Sequence, residues 1–249
     1  MRGGPILATR ALTKSFGGIM AVNHVSLSLE AEEVRAIIGP NGAGKTTLFN
    51  LLTGTFPFDS GKILFKGEDI SHRHPSWLCK KGLARSFQIN SLFPKFTVFE
   101  NVQLALIAQK GRSFNLFLQS ANLMREKAME ILDSVGLAQQ ATHLAGTLPH
   151  GYQRQLEIGI ALATNPELLL LDEPTAGLAP GERMRMIEQI KTLVRERGLT
   201  LLFVEHDMDV VFAIAEKITV MNQGSVIFEG TSSQTKESEE VRRVYLGEI

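Results

Sequence analysis

The apolar residues of this chain are arranged in two kinds of pattern. Short, nearly continuous apolar runs at 34–38, 168–171 and 199–204 predict β-strands that are buried on both faces. Apolar residues at helical spacing predict amphipathic helices at 182–197 and 208–215. Buried strands that alternate with helices are typical of an α/β fold with a parallel sheet.

The first part of the chain has a different pattern, which predicts antiparallel strands. Residues 5–38 are interpreted as strands, because apolar and polar residues alternate over 25–30 with the period of a half-exposed strand. A Gly-Gly pair at 17–18 supplies a turn, and 63–65 forms another short strand between glycines. We therefore expect a small antiparallel sheet beside the α/β core.

The middle of the chain, from about 75 to 164, has the spacing of helices and little that indicates a strand. Two helices are predicted at 121–135 and 151–164. We interpret the whole chain as a single domain in three parts. These parts are a core of about 1–88 and 165–230, an inserted helical subdomain of about 89–164, and a polar, partly helical tail of 231–249.

A glycine-rich loop follows the first buried strand and precedes a helix that ends before Gly54. Its sequence, GPNGAGKTT, fits the pattern G-x-x-x-x-G-K-[ST]. Backbone N–H groups of such a loop cradle phosphate oxygens, and the helix adds its positive N-terminal end. Lys45 is expected to reach the β- and γ-phosphates, and the hydroxyl of Thr46 is expected to ligate Mg²⁺. The predicted nucleotide-binding residues of the loop are Gly39, Pro40, Asn41, Gly42, Ala43, Gly44, Lys45, Thr46 and Thr47.

Polar side chains end the other two buried strands. Asp172 and Glu173 follow the run 168–171, and His206 follows the run 199–204. Carboxyl ends of parallel strands face the ligand crevice of an α/β sheet, so we expect these side chains to lie beside the glycine-rich loop. Asp172 is predicted to hold Mg²⁺ through water, and Glu173 to orient or deprotonate the attacking water. His206 is predicted to donate a hydrogen bond to the γ-phosphate.

Composition narrows the class of protein. The 249 residues carry 26 basic and 26 acidic side chains, and zero net charge gives no support for a protein that binds nucleic acid mainly by basic charge. Cys79 is the only cysteine, which excludes a disulfide framework or zinc cluster and favours a reducing compartment. No apolar stretch of about 18 residues predicts a membrane span, and the N-terminus has no pattern of a secretion signal.

Several motifs together resemble the ATP-binding cassette (ABC) transporter ATPases. These are GPNGAGKTT, RSFQ, LPHGYQRQ, LLLLDEPTAGL and VEHD, in the order and near the separations found in that family. The resemblance covers nearly the whole chain. It implies a P-loop NTPase (RecA-like) core with an antiparallel β subdomain and an inserted helical subdomain. It also implies that two cassettes, identical or different, face each other head to tail and enclose ATP and Mg²⁺.

The same resemblance assigns roles to further residues. Phe16 would stack on adenine, and Gln88 would touch Mg²⁺ and the lytic water. The family signature would contact the γ-phosphate on the opposite subunit, and 178–179 would cross the dimer interface. The signature residues in this chain are Leu148, Pro149, His150, Gly151, Tyr152 and Gln153.

Within the family, longer stretches resemble ATPase subunits of branched-chain amino acid importers, with urea and amide importers close by. These stretches are ARSFQINSLFPKFTVFENV, LEIGIALATNPELLLLDEPTAGL, VEHDMDVVFAIAEKITVMNQG and the ending VYLGE. A lipopolysaccharide-export ATPase is also similar, including the ending VYLGE. The family pattern implies two membrane-spanning permease subunits and, for import, an extracytoplasmic solute-binding protein. The ATPase would then lie peripherally on the cytoplasmic face of the membrane. Phe93, Phe96 and Phe99 follow Gln88 closely and are a candidate docking patch if exposed.

The chain departs from the family pattern in the signature. Pro149 stands where Ser is usual and has neither hydroxyl nor N–H, although proline suits the first turn of the following helix. His150 and Tyr152 replace Gly and Gln or Glu, and Ala179 replaces Asp or Asn. These differences bear on the rate of hydrolysis and on the closure of the dimer.

The sequence lacks the features that define other classes of P-loop protein. The guanine-reading motif Asn-Lys-x-Asp of GTPases is absent, no Arg cluster indicates a kinase lid, and the insertion is too short for the coiled coil of a DNA-repair ATPase. A nucleotide-gated interaction module with weak hydrolysis remains the non-enzyme alternative, because of Pro149 and Ala179.

Overall fold

The computed structural model describes residues 4–86, 92–110 and 119–246. The strands and helices predicted from the apolar pattern are present in the predicted order, and the structure adds two short strands, Glu68–Asp69 and Leu83–Arg85, that the pattern does not predict. The strands are β1 (Leu7–Phe16), β2 (Ile19–Val25), β3 (Ser28–Leu29), β4 (Val34–Ile38), β5 (Ser60–Phe65), β6 (Glu68–Asp69), β7 (Leu83–Arg85), β8 (Leu168–Asp172), β9 (Thr200–Val204), β10 (Lys217–Asn222) and β11 (Ser225–Gly230). The helices are α1 (Lys45–Leu52), α2 (Pro75–Lys80), α3 (Val98–Lys110), α4 (Gln119–Ser134), α5 (His150–Leu162), α6 (Pro180–Arg197), α7 (Met208–Ile214), α8 (Ser232–Glu237) and α9 (Glu239–Leu246).

The main sheet has six strands in the order β11-β10-β4-β9-β8-β7. All neighbouring pairs are parallel except β10 and β11, which form an antiparallel hairpin. Every residue of β4, β8 and β9 is buried, as the continuous apolar runs predict for strands covered on both faces. The carboxyl ends of these three strands therefore meet at one edge, which confirms the predicted parallel α/β core.

A second sheet of five strands is antiparallel and has the order β2-β1-β5-β6, with β3 also paired to β1. This sheet confirms the predicted antiparallel unit, but the single strand expected over 25–30 is wrong. The Thr9 hydroxyl donates to the carbonyl oxygen of Val25 (3.0 Å) and accepts from the amide of Leu27 (2.9 Å). Because this side chain takes the place of ladder hydrogen bonds, the pairing breaks into β2 and β3, although burial still alternates there.

The two faces of the main sheet bury different elements. One face packs with the antiparallel sheet and α1, where Phe49 is fully buried among Ile37, Leu170 and Leu202. The other face packs with the helices, where Phe203 of β9 is fully buried in a separate cluster. Successive strand residues point to opposite faces, so one run of apolar residues supplies both cores. α1 and the loop before it are thereby fixed against the sheet.

The region predicted as helical contains α2, α3, α4 and α5, and it also contains a strand that the prediction missed. β7 lies parallel to β8 at one end of the main sheet, with Arg85 paired to Leu170. Three residues are too few to show a period, and β7 reaches the sheet only through long-range pairing. The helix predicted at 182–197 is confirmed as α6, which ends at Gly198 in the left-handed conformation.

Across residues 4–86, 92–110 and 119–246, none of the helices combines the length and the apolar character needed to cross a membrane.

Candidate active site

The glycine-rich loop has the strand–loop–helix context that the motif requires. Gly39 has φ +155° and Gly44 has φ +98°, and a Cβ at either position would lie 2.2 Å from a backbone carbonyl oxygen, that of Met221 or Ala21. A side chain is therefore excluded at both positions. Gly44 precedes α1 and supplies no side-chain cap, so the first turn of α1 leaves its amide groups open to a phosphate.

Lys45 is folded back over this loop. Its Nζ donates to the carbonyl oxygens of Gly39 (2.5 Å) and Pro40 (3.0 Å), and its side chain is buried. Burial lowers the pKa of Lys45 from its usual value, while the negative charges of Glu173 and Asp172 act in the opposite direction. The amine thus lies within electrostatic range of both acids, where a phosphate would offer it charged acceptors in place of two neutral carbonyls.

Asp172 ends β8 and is buried. Its Oδ2 accepts a hydrogen bond of 2.7 Å from Nη2 of Arg85, a residue that the sequence reasoning missed. Thr46, at the start of α1, is exposed. A hydroxyl and one carboxylate fit Mg²⁺, which prefers oxygen ligands and takes its others from phosphates and water. In the described ranges no group of three or more His, Cys, Asp or Glu side chains forms a metal cage of its own.

Glu173 follows Asp172 in a backbone conformation that is unusual for a residue with a side chain. Its φ is +49°, and its amide donates to the carbonyl oxygen of Val204 at 2.9 Å. Strain of this kind is typical of functional sites, where the surrounding structure fixes a side chain. Oε1 of Glu173 lies 3.0 Å from Nε2 of His206. As an ionised carboxylate only accepts hydrogen bonds, the histidine is the donor of this pair.

Glu205, between β9 and His206, is a second residue whose role the sequence reasoning missed. Its buried carboxylate Oε1 accepts from the amide (2.9 Å) and the hydroxyl (2.7 Å) of Thr175. This anchors the turn after Glu173 to the end of β9. The motif VEHD contains the signal for this role, because Glu205 is a polar residue directly after a buried strand.

Phe16 lies at the end of β1 and remains 46% exposed. Its ring contacts Phe56 edge-on at a centroid distance of 6.2 Å, and Nζ of Lys14 lies 5.2 Å from its centroid. β2, the other strand of this hairpin, lies against the glycine-rich loop, because a Cβ at Gly44 would meet the carbonyl oxygen of Ala21. An exposed aromatic face is thus available near the phosphate loop, and stacking on adenine stays a prediction.

The signature residues span the start of α5, with two of them before the helix and four within it. Leu148 is buried, Pro149 and Tyr152 are exposed, and Nε2 of Gln153 donates to the carbonyl oxygen of Leu148 at 3.0 Å. The helix starts at His150, so Pro149 is the N-cap residue. Pro149 is predicted to lie in the first turn of the helix, and it lies one position before that turn.

The structure brings together the loop, both acids and His206. The other predicted residues lie away from this group or among the residues that the structure does not describe. Within the described ranges, no hydrogen bond joins 148–153 to the loop 39–47. Gln88, predicted to touch Mg²⁺ and the lytic water, lies in 87–91, outside the described residues. Leu178 is buried within its own chain and Ala179 is exposed before α6. Their place at a dimer interface stays a prediction.

Curated relatives cover almost the whole chain. BraF of Pseudomonas aeruginosa, a high-affinity branched-chain amino acid transport ATP-binding protein, is 40% identical and LivG of Escherichia coli K12, of the same description, is 39% identical. Each alignment covers 98% of this chain and 98% of the relative.

Solved structures agree with these relatives. The ADP conformation of MJ1267, an ATP-binding cassette of an ABC transporter, matches with a TM-score of 0.86 and 33% identity over 98% of this chain and 99% of that one. A dimeric, post-hydrolysis cassette, MJ0796 bound to ADP and Pi, matches with a TM-score of 0.78 and 28% identity over 91% and 98%. The model of the ABC transporter family matches residues 22–176, more than half of the sequence. The glycine-rich loop, the acids that end β8 and the histidine after β9 are thus found on the fold that these cassettes share, and the chain belongs to the ABC transporter family.

Proposed function

We propose that this ABC transporter ATPase hydrolyses Mg-ATP to drive uptake of branched-chain amino acids. The observation that carries the chemistry is the Glu173–His206 pair, 3.0 Å apart beside the buried Asp172 and Lys45. The substrate class is supported by relatives named for branched-chain amino acid transport, of 39% and 40% identity. Urea or amide transport and lipopolysaccharide export are not favoured by these relatives.

In the proposed mechanism the polar groups divide phosphate binding, metal binding and water activation among themselves. Lys45 and the loop amides hold the β- and γ-phosphates, and Thr46 and Asp172 hold Mg²⁺, which neutralises charge on the phosphates. Glu173 orients a water and accepts its proton as the water oxygen bonds to the γ-phosphorus. The bond from that phosphorus to the bridging oxygen breaks, leaving ADP and phosphate. The single N–H at Nε2 of His206 holds Glu173 in place and is shared with the γ-phosphate, which makes it a weaker phosphate ligand than Lys45.

The proposed assembly pairs two cassettes, with the signature 148–153 of one closing the site of the other. Family geometry supports this arrangement, since one chain carries each part of the site once and a structurally similar cassette, MJ0796, is a dimer. Gln88 would complete the Mg²⁺ and water contacts. We retain the division into a core, a helical subdomain of about 89–164 and a C-terminal tail as part of this proposal.

Membrane subunits are proposed to dock beside the segment that contains Gln88. Phe93 and Phe96 are exposed, and their rings stack with centroids 5.6 Å apart. The buried side chain of Asn101 holds this loop rigidly, with Oδ1 accepting from the amide of Phe93 (2.9 Å) and Nδ2 donating to the carbonyl oxygens of Phe93 (3.1 Å) and Thr97 (2.9 Å). Phe99 is half-buried against the core and is not part of the patch. The proposed location is the cytoplasmic face of the membrane, with a solute-binding protein acting on the other side.

Uptake by the native host tests this function. A deletion strain should lose high-affinity uptake of radiolabelled leucine, and the wild-type gene should restore it. The Glu173→Gln variant, expressed at the same level, should restore none, because it lacks the base. Urea uptake in the same strains is the control. Restored urea uptake with unchanged leucine uptake would overturn the proposed substrate class.

A further inference from the structure

Arg85 is the one arginine whose guanidinium joins two parts of the described site. Its Nη2 donates to Oδ2 of Asp172 at 2.7 Å, and its Nη1 donates to Oδ1 of Asn50 at 2.6 Å. The side chain is only 10% exposed, and its guanidinium carbon lies 5.8 Å from the ring centroid of Phe49. Asn50 and Phe49 belong to α1, the helix that begins with Lys45 and Thr46. One buried cation therefore connects the phosphate-binding helix with the carboxylate that ends β8.

The backbone of Arg85 is fixed as firmly as its side chain. Arg85 ends β7 opposite Leu170 of β8, and the amide of the next residue, Ser86, donates to the carbonyl oxygen of Leu170 at 3.0 Å. The guanidinium is thus anchored to the same strand that carries Asp172, two residues further on. Both terminal nitrogens of the guanidinium are held and its backbone is fixed. The Asp172 carboxylate therefore has little freedom to rotate.

We propose that Arg85 is a positioning residue for Mg²⁺ binding: it holds Oδ2 of Asp172 and so turns the other carboxylate oxygen toward Thr46. This inference rests on the proposed Mg²⁺ site at Thr46 and Asp172. Carboxylates that bind metals are commonly held by hydrogen bonds from a second layer of residues, and loss of such a partner typically weakens metal binding about 10–100-fold. The positive charge of Arg85 also repels the metal ion, which would weaken Mg²⁺ binding. Removal of Arg85 should therefore lower Mg²⁺ affinity if positioning of Asp172 dominates and raise it if repulsion dominates.

The test measures the affinity for ATP by calorimetry with excess Mg²⁺ and with EDTA, in the Glu173→Gln background so that ATP is not consumed. The gain from Mg²⁺ is defined as the dissociation constant for ATP in EDTA divided by that with excess Mg²⁺. In Arg85→Gln this gain should fall about tenfold. The dissociation constant in EDTA should change less, because Lys45 and the loop still hold the phosphates. Arg85→Lys should recover part of the gain, because one ammonium reaches only one of the two acceptors.

Asn50→Ala is a second variant, which keeps the charge and releases one end of the guanidinium. It should lower the gain in the same direction by a smaller factor, and it tests the proposal even if Arg85→Gln fails to fold. The matched control is Arg197→Gln, which removes an exposed arginine that donates to Ser134 at 3.2 Å. Its gain should equal that of the parent.

Three outcomes would overturn the positioning role of Arg85. An increased gain in Arg85→Gln would mean that the arginine competes with Mg²⁺. An unchanged gain, or equal losses with Mg²⁺ and with EDTA, would mean that its role is purely structural. If the parent protein itself gained nothing from Mg²⁺, the proposed metal site would fail, and this inference with it.

Discussion

Nε2 of His206 lies 3.0 Å from Oε1 of Glu173, although 32 residues separate the two in the chain. Both follow neighbouring parallel strands, and Asp172 pairs in register with Val204. The amide of Glu173 also donates to the carbonyl oxygen of Val204. Backbone pairing therefore places the acid and the histidine side by side before any ligand is considered, and in the proposed mechanism the histidine acts partly through the acid.

The first prediction concerns this pair. His206→Ala removes the donor that holds Glu173, so hydrolysis should slow about 100-fold, within the range that a positioned general base contributes. ATP affinity should change about threefold or less, because Lys45 and the loop supply most phosphate contacts. Phosphate release and calorimetric binding check the two quantities. A loss of affinity as large as the loss of rate would assign His206 to binding rather than to hydrolysis.

The second prediction concerns Lys45. Lys45→Ala removes the cation expected at the β- and γ-phosphates, a hydrogen bond to a charged group that contributes about 1.5–3 kcal/mol. ATP should therefore bind about 10–100-fold more weakly. Lys191→Ala is the matched control, since Lys191 makes an exposed ion pair with Glu188 on α6. Unchanged ATP affinity in Lys45→Ala would contradict the role assigned to the loop.

The third prediction concerns the two stacked rings near the segment 87–91. Phe93→Ser with Phe96→Ser should abolish co-purification of the membrane subunits, because exposed apolar patches are typical of interfaces. ATP hydrolysis without the membrane subunits should persist, since within the described residues no aromatic pair or hydrogen bond joins either residue to the loop 39–47, Glu173 or His206. Met184→Ser, which alters another exposed apolar residue, is the control and should leave the complex intact. Cross-linkers placed at 90–97 that never capture a membrane partner would argue against docking here.

The parts of the site that the sequence could predict are those encoded locally. The glycine-rich loop and the acids of β8 each occupy a few consecutive residues, and their strand and helix contexts are visible in the apolar pattern. In the structure Asp172 ends β8, and both it and Glu173 lie within electrostatic range of Lys45, while the roles assigned to the three residues stay predictions. The parallel order of β4, β8 and β9 follows from the same buried runs.

The residues that the sequence did not predict depend on pairing between distant segments. Arg85 becomes a partner of Asp172 only because β7 joins β8, and three residues show no periodicity from which that strand could be inferred. Glu205 becomes an anchor only because Thr175 turns back toward the end of β9. The break between β2 and β3 depends in the same way on one hydroxyl, that of Thr9.

The fourth prediction concerns the association of two cassettes. Glu173→Gln keeps the shape of the site and removes the base, so the variant should bind ATP, stall and accumulate an ATP-bound dimer. ADP should reverse the association, because the γ-phosphate is what the opposite signature is proposed to contact. Light scattering with ATP and with ADP measures this. A variant that stays monomeric with ATP at high protein concentration would show that the chain does not pair with itself and requires a different cassette or the membrane subunits.

Pro149 allows a sharper form of this experiment, because the structure places it directly before α5 and exposed. In Pro149→Ser, in the Glu173→Gln background, the new hydroxyl can donate to the γ-phosphate of the opposite site. A hydrogen bond to a charged group contributes about 1.5–3 kcal/mol at most, so the ATP-bound dimer should tighten by up to about 10–100-fold for each such bond. Pro149→Ala, which restores the N–H without the hydroxyl, is the matched control. Serine is also a better N-cap than alanine, so thermal unfolding of both monomers must be compared. If serine and alanine tighten the dimer equally, or neither does, the hydroxyl missing from the signature does not limit closure, and Pro149 acts through the start of the helix instead.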